Sequence, residues 1–192
     1  MRLGTKVDIA VSTIGHSTRP IEEFVRMLVA HGIRQVVDVR TIPRSKRNPQ
    51  FNRENLPASL EQVHIGYRHM PGLGGLRHPR KDSTNTGWRN ASFRGYADYM
   101  QTPEFDENLN DLIQLASKAP SAIMCAEAVP WRCHRSLIAD ALLARGVPVL
   151  EIVSLTKIQP HAMTPFAKVV GRQVTYPADA KSLDLPLFAE LE

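Results

Sequence analysis

Cysteine is scarce in this chain, with two among 192 residues. A fold stapled by disulfides is therefore excluded, and in a reducing cytosol the two thiols would stay free or bind something. Long apolar runs are also lacking, since no stretch of about 18 apolar residues, the length needed for a membrane-spanning helix, occurs. The first six residues lead into a mixed polar segment, unlike a secretory signal. We expect a cytoplasmic protein with no membrane partner.

Positive charge is concentrated in one part of the chain. The segment from Arg40 to Arg94 holds eleven Lys and Arg against three acidic residues, a net +8, whereas the whole chain carries +5. Such a local excess is typical either of a solvated basic surface or of a site for phosphate or nucleic acid. The same segment is irregular and rich in Asn, Pro and Gly, which is more typical of a functional loop than of an idle one. We expect it to cover the functional cleft as a partly mobile flap.

Strand and helix patterns alternate along most of the chain. Short apolar or β-branched runs predict strands, and apolar residues three and four apart predict the helices between them. This alternation predicts a three-layer α/β fold, with a mostly parallel sheet and helices on both faces. The predicted strands cover residues 8–14, 36–39, 63–69, 121–125 and 149–153, and the predicted helices cover residues 18–31, 52–62, 93–100, 105–118 and 135–145.

The length and the 43% hydrophobic content suit a single domain that can bury its own core. Beyond Leu155 the periodic signals weaken, and the last fifteen residues have no pattern. We expect one α/β domain over residues 1–177 and a poorly structured C-terminal tail over residues 178–192.

The densest group of chemically useful side chains lies between residues 124 and 136. A strand ends at Cys125, a short loop carries Glu127, and a helix begins near Cys133-His134-Arg135. A thiol at a helix start beside Arg and His has a lowered pKa, so Cys133 is expected to be the more reactive cysteine. Glu127 could orient His134 or act as a general base. Arg132 and Arg135 are expected to bind phosphate or carboxylate.

The same residues are also open to interpretations that involve no catalysis. Cys125 ends an apolar strand, where a buried and inert thiol is common. Together Cys125, Glu127, Cys133 and His134 have the right ligand types for a metal, but their spacing matches none of the common zinc patterns. We therefore assign no metal site from the sequence.

Polar residues follow three of the predicted strands. They are His16 and Ser17 after the first strand, Asp38 and Arg40 after the second, and Glu127 after the fourth. In doubly wound sheets ligands bind outside the carboxyl ends of the strands. The sequence therefore predicts that His16, Asp38, Arg40, Glu127 and His134 line one cleft.

These motifs, in this order, resemble the bacterial and archaeal family known as domain of unknown function 488. The resemblance rests on residues 13–17, on residues 38–45 with Asp38, Arg40 and Ser45, on Leu73-Gly74-Gly75, on residues 93–100 around Tyr96, and on residues 125–135. Residues 161–167 are similar to the C-terminal end of the family, so the resemblance covers about residues 11–177. The family name implies kinship and no activity.

A fainter similarity links the chain to rhodanese-like domains, which also place Asp-x-Arg after an early strand and begin a late helix with Arg-Ser. In those domains the catalytic cysteine lies five residues before that Arg, where this chain has Pro130. Cys125 does not fit the tyrosine-phosphatase spacing either, since the residue six positions later is Trp131. Sulfur or phosphoryl transfer through that loop is therefore not expected.

Three hypotheses follow from the sequence. The first is an enzyme acting on a phosphate-bearing molecule or nucleic acid, the second a non-catalytic nucleic-acid-binding module, and the third a metal-binding protein. The sequence identifies no cofactor and no oligomeric state. The candidate catalytic residues are Cys133, His134, Glu127 and Cys125, and the candidate substrate-binding residues are His16, Ser17, Asp38, Arg40, Ser45, Gly74, Gly75, Tyr96, Arg132 and Arg135.

Overall fold

The computed structural model describes residues 10–178, in which strands and helices alternate. The strands are β1 (Val11–Gly15), β2 (Gln35–Asp38), β3 (Gly66–His69), β4 (Ser121–Cys125), β5 (Val149–Ile152), β6 (Ile158–Pro160), β7 (Lys168–Val170) and β8 (Gln173–Thr175). The helices are α1 (Ile21–Ala30), α2 (Leu56–Glu61), α3 (Ala91–Tyr99), α4 (Pro103–Ala116) and α5 (Arg135–Leu143), with short 3-10 turns at Pro49–Phe51, Pro71–Leu73 and Pro130–Arg132.

Six strands form the main sheet, in the order β3-β2-β4-β1-β5-β6. Five of them are parallel, and β6 is antiparallel to β5. In the register of the two central strands, Gly15 of β1 is opposite Cys125 of β4. The antiparallel pair β7 and β8 forms a separate small sheet. The predicted mostly parallel α/β sheet is confirmed.

Helices cover both faces of the sheet, as predicted. On one face, α1 and α2 bury an apolar cluster that includes Ile14 and Phe24. On the other face, α3, α4 and α5 bury a larger cluster that includes Val11 and Leu137. Val11 and Ile14 of β1 lie on opposite faces because successive side chains of a strand alternate. The main sheet is thus packed against an apolar core on each face.

The helix that follows β4 packs on the opposite face of the sheet from the helices that follow the neighbouring strands β1 and β2. The chain goes from β1 into α1 and from β2 into α2, both on the same face, whereas β4 is followed by α5 on the opposite face. Neighbouring strands whose connections diverge in this way open a crevice at their carboxyl ends. The fold therefore places a crevice where β1, β2 and β4 end.

The basic segment after Arg40 does not form one flap. It contains two 3-10 turns, the helix α2, the edge strand β3 of the main sheet and the start of α3, and only its first residues reach the crevice. The predicted strand over residues 63–69 begins at Gly66, because His64 has a positive φ of 57° that ends the preceding turn. The helix predicted from Thr18 begins at Ile21, since Pro20 takes the cap position and Thr18 stays in the loop.

The chain after Leu155 is more ordered than its sequence pattern indicates. It contains β6, β7 and β8, each only three residues long and mostly exposed, which explains the weak periodicity. The predicted tail, apart from Ala178, and the start of the first predicted strand lie outside the described residues. No helix within residues 10–178 is long and apolar enough to cross a membrane.

Candidate functional site: an arginine-lined cleft and a thiol cluster

A cleft of about 460 Å³ occupies the crevice at the ends of β1, β2 and β4. Its walls are residues 16–18 of the β1–α1 loop, residues 126–129 and Arg132 of the β4–α5 loop, and five residues between 40 and 48. The two loops are joined by backbone hydrogen bonds that extend the strand pairing, from the N–H of His16 to Cys125 O (3.0 Å) and of Ser17 to Ala126 O (2.8 Å). The cleft floor is therefore part of the sheet scaffold.

Arg40 forms the cationic floor of this cleft. Its guanidinium is 7% exposed and is bidentate to Asp38, with Nε to Oδ1 at 2.8 Å and Nη2 to Oδ2 at 2.6 Å. Nη2 also donates to the carbonyl of Phe51 at 2.6 Å, and Nη1 lies 3.2 Å from Nε2 of His16. These contacts use four of the five N–H groups of an arginine and leave one on Nη1. Asp38 is fully buried, so it holds Arg40 rather than lining the cleft.

His16 is a neutral acceptor for Arg40. Its Nδ1 lies 2.8 Å from the carbonyl of Ser17, which can only accept, so Nδ1 carries the proton and Nε2 faces Arg40 with its lone pair. Burial, together with the Arg40 charge, lowers the pKa of His16 to about 4. The ring is 2% exposed and stacks on Phe51 with the centroids 4.2 Å apart. His16 therefore fixes the direction of Arg40.

The rim of the cleft carries two more cations and one carboxylate. Arg44 and Arg132 are exposed and line the cleft from different loops, and the exposed Glu127 lies on the same loop as Arg132. Ser17 holds a positive φ of 51° where the chain turns into the cleft. Ser45 shapes its own loop, because its Oγ accepts from the N–H groups of Arg47 and Asn48.

The two cysteines and His134 lie together on the opposite face of the sheet, in the core beneath α3 and α5. The Sγ atoms of Cys125 and Cys133 and one ring nitrogen of His134 are all within 4.8 Å of one another. We call these three residues the thiol cluster. None of them lines the cleft, so the structure does not bring His134 to the side chain of Glu127. Instead, Nε2 of His134 is 3.0 Å from the carbonyl of Val39.

The two thiols have opposite electrostatic environments. A hydrogen bond from Cys125 lowers the pKa of Cys133 well below its usual range, and His134 and Arg135 act in the same direction. The same hydrogen bond, with burial, raises the pKa of the Cys125 thiol. This is the direction the sequence predicts, but Cys133 is 3% exposed and not in a solvated loop. Both cysteines are free thiols.

Arg135 supports the cleft wall from behind and does not face a ligand there. The side chain is 1% exposed; Nη1 donates to Thr13 Oγ1 at 2.6 Å and Nη2 to the carbonyl of Glu127 at 2.6 Å. Its Nε is buried and has no hydrogen-bond partner among residues 10–178. Within the described residues no carboxylate forms an ion pair with it. Among the described residues, a buried cation with no directly paired carboxylate therefore lies next to the thiol cluster, and its charge also helps to lower the pKa of Glu151.

The remaining candidates do not line the cleft, and two of them, Tyr96 and Gly75, lie against His134. The Tyr96 ring centroid is 5.1 Å from that of His134, and its hydroxyl donates to the carbonyl of Leu73 at 2.9 Å. The backbone of Gly75 passes so close to His134 that a Cβ there would lie 2.9 Å from Nδ1. Gly74 packs against Thr41. Tyr96 and Gly75 thus border the imidazole of His134.

Sequence reasoning missed a second buried charge network. His161 bridges two carboxylates, with Nδ1 2.8 Å from Glu151 Oε1 and Nε2 2.9 Å from Asp140 Oδ1. Tyr176 donates to the other oxygen of Asp140 at 2.8 Å. The available signal was His161 itself, within the stretch similar to the family's C-terminal end. Tyr67, which donates to Asp38 at 2.7 Å, was also missed and carries no signal in the sequence.

A family model described as "Domain of unknown function DUF488" matches residues 20–142, which is nearly two thirds of the chain. The match includes Asp38, Arg40 and the whole β4–α5 loop with both cysteines. No curated protein and no solved structure shows a match to the chain.

Proposed function

The chain belongs to the DUF488 family, whose description names no activity, and we propose that the protein is an enzyme acting on a phosphate-bearing small molecule bound in the cleft. The proposal assigns phosphate binding to Arg40, Arg44 and Arg132 and proton transfer to Glu127. The thiol cluster does not line the cleft, so we assign it no role in this reaction.

The observation that carries the proposal is the unused N–H of Arg40. The guanidinium is held by Asp38, by Phe51 O and by His16, so its position is fixed before a ligand arrives. A guanidinium that is already oriented loses little entropy when it binds phosphate, and phosphate oxygens are among its strongest acceptors. A structural ion pair with Asp38 alone would not require the side chain to reach the cleft surface, as Arg40 does.

The charges of the rim fit an anionic ligand. The cleft-lining side chains include three arginines and one carboxylate, so their balance is positive although Asp38 neutralises part of it from below. Arg44 and Arg132 approach from different loops and can contact a phosphate from two sides. A positive cleft also raises the local concentration of an anionic substrate.

Glu127 is the cleft-lining group best suited to accept a proton. Its side chain is exposed, while its backbone carbonyl is fixed by Arg135. A carboxylate held by its backbone beside a bound phosphate can take a proton from water or from a substrate hydroxyl. His16 is less suitable, because both of its ring nitrogens are engaged.

The experiment combines binding and turnover. Inorganic phosphate and a panel of nucleotides and sugar phosphates are titrated by calorimetry, and products are followed by ³¹P NMR. Arg44→Gln and Arg132→Gln should each weaken binding roughly 10-fold, as expected for the loss of a charge-assisted contact. Arg89→Gln removes an exposed arginine outside the cleft and should leave affinity unchanged.

Glu127 is tested by the replacement Glu127→Gln, with Glu107→Gln as the control for loss of an exposed carboxylate. Glu127→Gln should retain phosphate binding and lose turnover of whichever phosphate ester the wild type converts. Binding that is unaffected by both arginine replacements would contradict the phosphate site. If the protein binds phosphate esters but converts none of them, it is a phosphate-binding protein, and the proposed enzymatic function is wrong.

A second candidate is nucleic-acid binding, which is favoured by the exposed Lys46 and Arg47 beside the cleft and by the exposed Arg53. A nucleic acid would contact several of these side chains at once, so its affinity would fall steeply with salt. A single phosphate group in the cleft would show a much weaker dependence. The salt slope of binding to a short RNA or DNA, compared with that of a mononucleotide, distinguishes the two.

A further inference from the structure

The thiol cluster has the composition of a site for a soft metal ion. It offers two sulfur atoms and one imidazole nitrogen, and these donors lie within 4.8 Å of one another. Thiolate and imidazole ligands select Cu(I) and Zn²⁺ rather than the hard cations Mg²⁺ and Ca²⁺. The sequence showed suitable ligand types but not the spacing of a common zinc site, because the end of strand β4 and the residues just before helix α5 supply the donors.

The tautomer of His134 is already the one that a metal requires. The carbonyl of Val39 can only accept, so the 3.0 Å contact makes Nε2 the protonated nitrogen. Nδ1 then has its lone pair free, and it faces Cys133 Sγ at 3.8 Å. Metal-bound histidines usually donate the other ring N–H to a carbonyl or carboxylate in this way. Gly75 leaves the space in front of Nδ1 open, since a Cβ would lie 2.9 Å from it.

The charge around the cluster discriminates between the two soft ions. Arg135 is buried and has no carboxylate partner within the described residues, and its Nη2 lies against Gly15, the residue paired with Cys125. Two thiolates with Zn²⁺ are neutral and would add no negative charge beside this guanidinium, whose charge Glu151 offsets only in part and without a direct ion pair. Two thiolates with Cu(I) carry one negative charge, which the guanidinium balances. A buried charge is costly unless it is paired.

We propose that Cys125, Cys133 and His134 bind one Cu(I) ion, with Arg135 as the charge-balancing group. Three donors are a complete coordination shell for Cu(I), whereas Zn²⁺ in proteins takes a fourth ligand. Binding replaces any thiol protons still present, which pass to solvent, and changes no oxidation state. The site lies outside the cleft, so this proposal stands independently of the proposed function.

The test uses the full-length, reduced protein under anaerobic conditions, with two free thiols confirmed before metal is added. Cu(I) is offered in competition with a chromophoric chelator such as bicinchoninate, and Zn²⁺ is offered separately. We expect one Cu(I) per chain, with an affinity at least roughly 100-fold above that of Cys133→Ser or His134→Gln. His78→Gln removes an exposed histidine and should bind Cu(I) as the wild type does.

Two further measurements keep the test independent of whether the cysteine variants fold. In the wild type, Cu(I) should protect both cysteines from iodoacetamide, read by mass spectrometry. Gly75→Ala keeps all three donors but crowds Nδ1, and should weaken Cu(I) binding about 10-fold, the scale of changes next to a metal ligand. Cu(I) binding that is equal in His134→Gln, or that leaves the thiols unprotected, would overturn the site. Tighter binding of Zn²⁺ than of Cu(I) would overturn the metal assignment.

Discussion

His161 should make the stability of this protein depend on pH in the alkaline range. Its ring nitrogens both face carboxylates, so both must donate and the imidazole must be charged. Burial alone would lower its pKa, but the hydrogen bonds and charges of Asp140 and Glu151 outweigh burial and raise the pKa to about 9. A group whose pKa is raised on folding contributes stability below its unfolded pKa and loses it as pH rises through the folded one.

The size of the effect follows from the two pKa values. The interval from 6.5 to about 9 corresponds to about 3 kcal/mol, because one pKa unit is worth about 1.4 kcal/mol. The side chain is only 5% exposed, so solvent screens this interaction weakly. The contribution should be complete at about pH 6.5 and lost between there and about pH 9.

The assay is urea unfolding of the wild type, His161→Gln and His78→Gln across this pH range. His161→Gln removes the titrating group and leaves Asp140 and Glu151 without their cation, so it should be less stable at neutral pH. Between about pH 6.5 and 9 the wild type should lose about 3 kcal/mol more than this variant does. His78 is exposed, and its replacement should preserve the wild-type pH dependence. Parallel curves for the wild type and His161→Gln would refute the reasoning.

Three further predictions concern the cleft. Gly15→Ala would place a Cβ 1.9 Å from the carbonyl oxygen of Glu127, so urea unfolding should show a loss of about 3 kcal/mol; a loss below about 0.5 kcal/mol would mean that the β4–α5 loop moves freely. His16 should stay neutral down to about pH 4, so its NMR titration should have a midpoint far below 6.5. The unfolded chain binds this proton first, so the free energy of unfolding should fall as the pH drops from 6.5 to about 4. Tyr67→Phe removes the hydrogen bond to Asp38 and should lower the unfolding free energy by about 1–2 kcal/mol, measured by urea unfolding, whereas an unchanged value would show that Arg40 alone holds the carboxylate.

The parallel sheet could be predicted because its strands are buried on both faces and read as short apolar runs, as in Ser121–Cys125. The shared edge of His16, Arg40 and Glu127 could be predicted too, since parallel strands end together. The sequence could not show on which side of the sheet each residue would lie. That depends on strand alternation and on α5 crossing to the opposite face from α1, which separates the thiol cluster from the cleft.

Long-range pairings were the other limit of sequence reasoning. The alignment of His161 with Asp140 and Glu151 joins three segments that are distant in the sequence, and nothing in the pattern of any one segment indicates the other two. The role of Arg135 is similar, because an arginine at a helix start normally faces solvent or a ligand. Here it is drawn under the sheet by Thr13 and by a backbone carbonyl, and neither can be recognised from sequence spacing.

The backbone hydrogen bonds that continue the β1–β4 pairing into the cleft have a consequence for how such a site can change. The bonds from His16 N–H to Cys125 O and from Ser17 N–H to Ala126 O involve main-chain atoms alone. Cleft-lining side chains such as Ala128 and Val129 can therefore be replaced without breaking these main-chain hydrogen bonds at the base of the cleft. The lining side chains and the scaffold are therefore separable, so a redesign of the proposed ligand preference can start from the side chains of the β4–α5 loop and leave Arg40 and its supports untouched.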